Sequence, residues 1–187
     1  MIRPPAVATL LVLFLGAPLV ASAEGGAAGS DRLVMHRVQA GTPDKNGWHE
    51  ARSTGGKFRV RLPIPFNDYT VRGTSDGPPV WAIGSKSSEG VKFSAVRMPK
   101  SVKDPAAELD RFSRGSFGGA ARAAVRRLDH RGLTAVELEV KGKPASAFMR
   151  EIVLKDGVLL LTVEYPTERK AEVAGLVPIF FGSLVLE

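Results

Sequence analysis

The stretch "GTSDG", Gly73 to Gly77, has the G-x-S-x-G spacing of a nucleophile elbow. Such an elbow activates its serine by presenting it on a sharp turn between a strand and a helix, beside a histidine and an oxyanion hole. The chain continues "PPVW", and prolines leading into a strand leave no helix to follow Ser75. Asp129 and His130 would have to serve as its relay, yet neighbours on a strand point to opposite faces. "GGK", residues 55–57, raises phosphate binding. A phosphate loop needs a strand before its glycines and a helix after them, because the helix N-terminus supplies the aligned amides. Here a strand follows and no Ser or Thr succeeds the lysine, so the glycines are read as a turn.

The histidines are His36, His49 and His130, none at H-x-x-x-H spacing, and the chain has no cysteine. His49 beside Glu50 is the best ligand pair, which is too little for a metal centre. Glu137 and Glu139 are read as the solvent face of a strand and not as a catalytic pair. We therefore assign no catalytic residue, no metal and no cofactor, and expect a protein that is not an enzyme.

What remains is positive charge. Lys57, Arg59 and Arg61 alternate along one strand and share its outer face. If Lys92 and Arg97 lie on a neighbouring strand with the same orientation, the five residues form one patch for an acidic protein or an anionic envelope surface. Alternating charge is also an ordinary device against edge aggregation. Arg122, Arg126, Arg127 and Arg131 form a second cluster, which sequence alone neither joins to the first nor separates from it. Nucleic acid is not expected, because no aromatic interleaves with these residues as a stacking platform and the chain carries an export signal.

That signal occupies residues 1–23: Arg3, then the apolar "AVATLLVLFLGAPLVA", then small residues at Ala21 and Ala23. Cleavage near Ala23 would leave a periplasmic or secreted product. With no cysteine there is neither a disulfide nor a lipid-attachment site. The formal charge of the chain is +7, and residues 48–103 carry 10 Lys or Arg against 4 acids while residues 132–187 carry 6 against 8. The basic excess thus sits in the first two-thirds. No later stretch is long and apolar enough to span a bilayer.

Residues 24–46 open with "EGGAAGS" and are expected to be flexible or weakly ordered, with "RLVMHRV" a first strand or a short helix. From residue 47 onward the period becomes regular. "KFRVRLP", "YTVR", "PVWAIGS" and "VKFSAVRM" read as strands. "DPAAELDRFSRGSFGG" reads as a helix capped by Asp104, with Pro105 at its first position, Leu109 and Phe112 on one face, and Gly118 and Gly119 as its stop. "AAVRRLDH" and "LTAVELEV" flank a turn at Arg131 and Gly132. "SAFMREIVL" and "VLLLTVEY" flank "KDG", a hairpin signal. The second of these is apolar enough to be a central strand covered on both faces. A last helix is expected over residues 167–181, burying Ala171, Ala174 and Val177, followed by a short strand in "SLVLE". Strands followed by a helix, a meander and a second helix define an α+β class, an antiparallel sheet with packed helices.

"GWHEARSTGGKFRVRLP", "AELDRFSRGSF", "REIVLKDGVLLLTVEYP" and "FFGSLVLE" together resemble the small exported domains of the PsbP-like fold. That group includes an extrinsic photosystem II subunit, a Ran-binding nuclear transport factor and the bacterial DcrB-like envelope proteins. The resemblance covers residues 47–187 as a single domain and implies a curved antiparallel sheet flanked by helices, an αβα sandwich used for docking. It brings no shared functional residues; Trp48, Phe58, Leu62 and Pro63 match its pattern as architecture. The function this implies is an exported, non-enzymatic docking module of the bacterial cell envelope. The alternative is a ligand-binding protein or hydrolase with a pocket between sheet and helix.

Overall fold

Alternating apolar residues build two antiparallel sheets of unequal size. The computed structural model describes residues 32–36, 42–63, 66–72, 77–115, 117 and 120–187. The signal segment, Ser75, and the Gly118 and Gly119 helix stop lie outside the described residues.

The larger sheet contains β1 (Arg32–His36), β4 (Asn67–Arg72), β5 (Val80–Lys86), β6 (Lys92–Pro99), β7 (Ala121–His130), β8 (Leu133–Lys141), β9 (Ala145–Leu154) and β10 (Gly157–Pro166). Its order is β1-β4-β5-β6-β10-β9-β8-β7, so β1 and β7 are its edges. The smaller sheet is β2 (His49–Arg52), β3 (Phe58–Leu62) and β11 (Val185–Leu186), with β3 in the middle. β1 lies inside the segment expected to be weakly ordered, yet it pairs with β4 from Arg32 opposite Arg72 to His36 opposite Asp68. The sheet therefore begins upstream of residue 47.

One face of the large sheet carries the main core. Ile83, Phe93, Ala95, Leu159, Leu161 and Val163 meet Phe58, Val60 and Leu62 of the small sheet and Phe180 and Phe181 near the C-terminus. Phe93 and Phe180 meet edge to face at 5.4 Å. The opposite face is covered by α1 (Pro105–Arg114), whose fully buried Leu109 packs with Val136, Val153 and Val158. β10, central in the sheet, is covered on both faces as its apolar run predicted. The layering thus departs from an αβα sandwich: the second layer is a three-stranded sheet with short helices, and Phe58, Val60 and Leu62 of β3 close the core together with Phe180 and Phe181.

Local sequence accounts for the ends of α1. The Asp104 Oδ1 accepts from the N–H groups of Ala106 at 2.9 Å and Ala107 at 3.1 Å, and Pro105 occupies the first turn where its missing donor costs nothing. The helix stops at Arg114, earlier than the glycine pair suggested, with the Gly115 N–H donating to the Phe112 carbonyl. The predicted C-terminal helix breaks into a 3₁₀ turn (Thr167–Arg169), α2 (Lys170–Ala174) and α3 (Leu176–Gly182). Its buried residues are Val173, Phe180 and Phe181, whereas Ala171 and Ala174 face solvent. The break at Gly175 shifts the phase of the stripe, which a single 3.6-residue period cannot anticipate.

The glycines of "GGK" serve close packing. A Cβ on Gly55 would meet the Trp81 indole Nε1 at 2.3 Å, and one on Gly56 would meet the Phe58 ring at 2.5 Å. The turn leads straight into β3. At the β7–β8 hairpin, Arg131 and Gly132 have φ of +54° and +85°, the type I′ pattern that matches strand twist.

Candidate functional site

Arg59 and Arg61 stand on the outer face of β3, since Phe58, Val60 and Leu62 take the inner one. β2 runs antiparallel beside them, with Glu50 opposite Arg61 and Arg52 opposite Arg59. Arg59 donates to Glu50 at 2.7 Å, and the Glu187 carboxylate lies 2.9 Å from Arg52 and 3.9 Å from Arg59. Arg61 pairs with Asp44. Three arginines on this face thus meet three carboxylates, and the two like charges set opposite each other are bridged by Glu187. Lys57 is exposed in the turn before β3, at φ +51°.

The structure does not gather the five basic residues onto one face. Arg97 shares its side of β6 with Phe93 and Ala95, the side of the main core and the small sheet; Lys92, an odd number of residues away, points to the α1 side. Arg97 reaches the turn next to Lys57: it donates to the Gly56 carbonyl at 2.7 Å and grips both oxygens of Asp156 at 2.8 and 2.7 Å. Those bonds, with a smaller contribution from the Lys57 charge, hold the Asp156 carboxyl below its ordinary range despite slight burial. Lys92 pairs at 2.7 Å with Glu164, its cross-strand partner on β10. Arg59 and Arg61 lie on the side of β3 away from the core, and the carboxylate partners of the basic residues come from Asp44 ahead of β2, from β2 itself, β10, the β9–β10 turn and Glu187, none of which local spacing reveals.

The second cluster is arranged differently. β7 is an edge strand exposed from Ala121 through Arg127, and among the described residues β8 is its only strand neighbour. Arg126 donates to Glu137 at 2.6 Å, but Glu137 is already held by Arg150, whose Nε donates to it at 2.8 Å. Burial alone would raise the Glu137 pKa; hydrogen bonds from Arg126 and Arg150 outweigh it and keep the group ionised. Arg127 pairs with Asp110 of α1, which also lies 3.8 Å from Arg114. Arg122 and Arg131 donate to carbonyl oxygens of Ser113 and Gly182, which carry no formal charge. Asp129 is used by the turn, accepting from the Gly132 N–H at 2.7 Å. Of six arginines at this end of the sheet, four therefore share two carboxylates and two have only carbonyl oxygens. Glu137, expected to face solvent, instead anchors this network.

Beneath the edge, Arg150 is 8% exposed. Besides Glu137 it bonds the His130 Nδ1 at 3.1 Å and the Phe181 carbonyl at 3.2 Å, and its guanidinium sits 4.9 Å from the Phe181 ring centre. Burial, then the charges of Arg150 and Arg131, push the His130 pKa down, so this imidazole is neutral and accepts the Arg150 proton. It is buried at the end of β7. His36 bonds the Thr70 hydroxyl at 2.6 Å. Among the described residues no three of His, Asp or Glu converge as a metal site.

A depression runs along the start of α1, lined by Ser101, Lys103, Asp104, Glu108 and Arg111. Its charged residues are engaged with one another: Glu108 accepts from both Lys100 and Arg111, and Asp104 is the helix cap. Behind it, Glu151 on β9 is buried with its Oε1 unpartnered, and burial raises its pKa to about 7. No helix among the described residues is long and apolar enough to cross a membrane.

No protein-family model matches the sequence, and no curated protein matches it. Solved structures do. Cyanobacterial PsbP (CyanoP) from Synechocystis sp. PCC 6803 is similar with a TM-score of 0.52 at 12% identity, over 80% of this chain and 98% of its own. PA94 from Pseudomonas aeruginosa, a protein of unknown function, gives 0.46 at 13%, over 75% and 97%. LpqN, involved in cell envelope biogenesis of Mycobacterium tuberculosis, gives 0.41 at 13%, over 86% of each chain. Identities this low transfer a fold and no residue roles. With its antiparallel sheet covered by α1 on one face and by the small sheet and C-terminal helices on the other, and with nearly all of the cyanobacterial protein aligned to it, the chain has the PsbP-like fold.

Proposed function

We propose that the chain is an exported, non-enzymatic docking module of the bacterial cell envelope, periplasmic or secreted after cleavage near Ala23, and that it docks on an acidic protein. The observation that carries this reading is the unequal charge at the β7 end, where four arginines share Asp110 and Glu137 and two more, Arg122 and Arg131, rest on carbonyl oxygens. Positive charge left over after internal pairing is available to a partner and steers its approach. Lys57, Arg59, Arg61, Lys92 and Arg97 contribute less, because four of the five are engaged with carboxylates of the chain itself. The export signal supports the compartment, and a fold shared with cyanobacterial PsbP is compatible with a role that needs no active site.

The test is in-cell crosslinking of the tagged protein followed by mass spectrometry of complexes washed at low and high salt. We expect one reproducible acidic partner, released at high salt because exposed charge pairs are screened. The triple variant Arg122→Gln, Arg126→Gln, Arg127→Gln should lose it, and Lys57→Gln, Arg59→Gln, Arg61→Gln should keep it. Equal recovery from wild type and the β7 variant would sink the reading.

A further inference from the structure

We infer that β7 accepts an extended acidic segment of the partner protein as a ninth strand of the large sheet, an inference that rests on the docking reading above. An edge strand presents a row of N–H and C=O groups whose natural complement is another strand. β7 presents ten residues of it, against five for β1 at the other edge. Long exposed edges are usually shortened, covered, bulged, charged or blocked by proline; β7 is long, holds no proline and is exposed from Ala121 through Arg127, so its protection rests on its arginines and on the register shift between Arg122 and Ala124, and an acidic strand turns those arginines from a barrier into contacts.

The charges select the occupant. Arg126 lies on the small-sheet face of β7, and Arg122 and Arg127 lie on its α1 face, as their register opposite Glu137, Val140 and Val136 requires. An added strand also alternates its side chains, so acidic residues on either of its faces meet an arginine. A second copy of the chain pairing edge to edge through β7 would instead set arginine against arginine, which is unfavourable. An anionic membrane would satisfy the arginines but not the backbone row. Exposed Val125, at 51%, gives an incoming strand an apolar contact between the charged positions.

The probe is a labelled peptide of about ten residues, the length of β7, alternating glutamate with valine, compared with the same peptide methylated at alternate backbone nitrogens. We expect the first to bind and to slow hydrogen exchange at β7 amides. Backbone methylation should weaken it roughly tenfold or more, since it removes ladder donors while leaving charge intact. The β7 triple glutamine variant should weaken the unmodified peptide by roughly tenfold or more at low salt. If both peptides bind alike, or β7 exchange is unchanged, strand addition is overturned while the docking reading survives on the crosslinking result. Binding to phosphatidylglycerol vesicles without binding to the peptide also overturns it. Unchanged crosslinking by the triple variant would remove the docking reading itself.

Discussion

The β3 face and the β7 end both line up arginines along a strand, yet on β3 each arginine is matched and at β7 the arginines outnumber their carboxylates by at least two to one. On β3, Arg52, Arg59 and Arg61 close onto Glu50, Asp44 and Glu187. At β7, Glu137 and Asp110 are each divided between two arginines, and two further arginines settle on carbonyl oxygens. A run of basic residues is therefore a poor guide to a basic surface. What matters is where the fold delivers carboxylates, and β7, at the end of the sheet, receives Glu137 from β8 and Asp110 from α1, each already engaged by another arginine.

The largest effect should come from Arg150, which fixes how Glu137 is shared. Arg150→Met keeps the side-chain volume but removes the buried donor to Glu137, His130 and the Phe181 carbonyl. Breaking a buried pair from one side typically costs about 3–5 kcal/mol. Chemical denaturation should show a loss of that order, and Arg126 would then own Glu137 alone, bringing β7 closer to the balanced state of β3. A loss below about 1 kcal/mol would mean the network is structural decoration and the shared-carboxylate account is wrong.

The second effect comes from an acid with no counterpart on the β3 face. Glu151 is buried between β9 and α1, 4% exposed, with Lys100, Glu108 and Arg111 around it and its Oε1 unpartnered. Burial raises its pKa from the ordinary 4.5 to about 7, an effect that Lys100 and Arg111 oppose and Glu108 assists. The folded state thus holds this proton more tightly than the unfolded chain. Its favourable contribution is complete below pH 4.5 and is lost as pH rises through 7. A shift of this size corresponds to about 3 kcal/mol. Glu151→Gln should therefore be more stable than wild type by up to about 3 kcal/mol at pH 8.5 and nearly equal to it at pH 4, read from denaturation midpoints across pH. A parallel pH profile for the two proteins would contradict the unpartnered, buried assignment.

Sequence made the scaffold legible where a local period or cap decides the outcome. Phe58, Val60 and Leu62 announce β3, Asp104 and Pro105 announce α1, and Gly157 with the preceding Lys155 and Asp156 announces the β9–β10 hairpin. It failed where two distant segments meet. Ala171 and Ala174 were expected inside, but the chain breaks at Gly175 and Phe180 and Phe181 take the core instead. Glu187 neutralises Arg52 and Arg59 from the far end of the chain, and Arg97 turns toward Asp156 while Lys92 turns away toward Glu164. The basic candidates were readable as residues; their net charge was not, because it is a property of the sheet order.

The third effect separates function from stability at the same edge. Arg122, Arg126 and Arg127 have exposed guanidinium groups, so replacing all three by glutamine should change folding stability by less than about 1 kcal/mol, in line with exposed pairs generally. Docking should nevertheless fall sharply. A variant that loses more than about 2 kcal/mol of stability would show that these arginines hold α1 to β7, and its loss of binding would then carry no information about the edge.

The smallest effect belongs to the β3 face and sharpens the contrast from its quiet side. Arg59 and Glu50 are both substantially exposed, with side-chain accessibilities of 37% and 55%. Water screens such a pair and holding two long side chains together costs entropy, so their coupling in a double-mutant cycle of Arg59→Ala and Glu50→Ala should be about 0.2–1 kcal/mol. Raising the salt from about 0.05 M to 0.5 M should shrink that coupling toward zero, since the screening length falls below the spacing of the wider array. The informative quantity is the sign left at high salt. If the coupling persists, Glu187 and Arg52 reinforce the pair as a network and the β3 face is rigid as well as neutral, which strengthens its exclusion from docking. If Glu50→Ala alone makes the protein bind the glutamate peptide, unmatched charge and not an open strand edge decides where that peptide docks, since β3 is paired on both sides by β2 and β11.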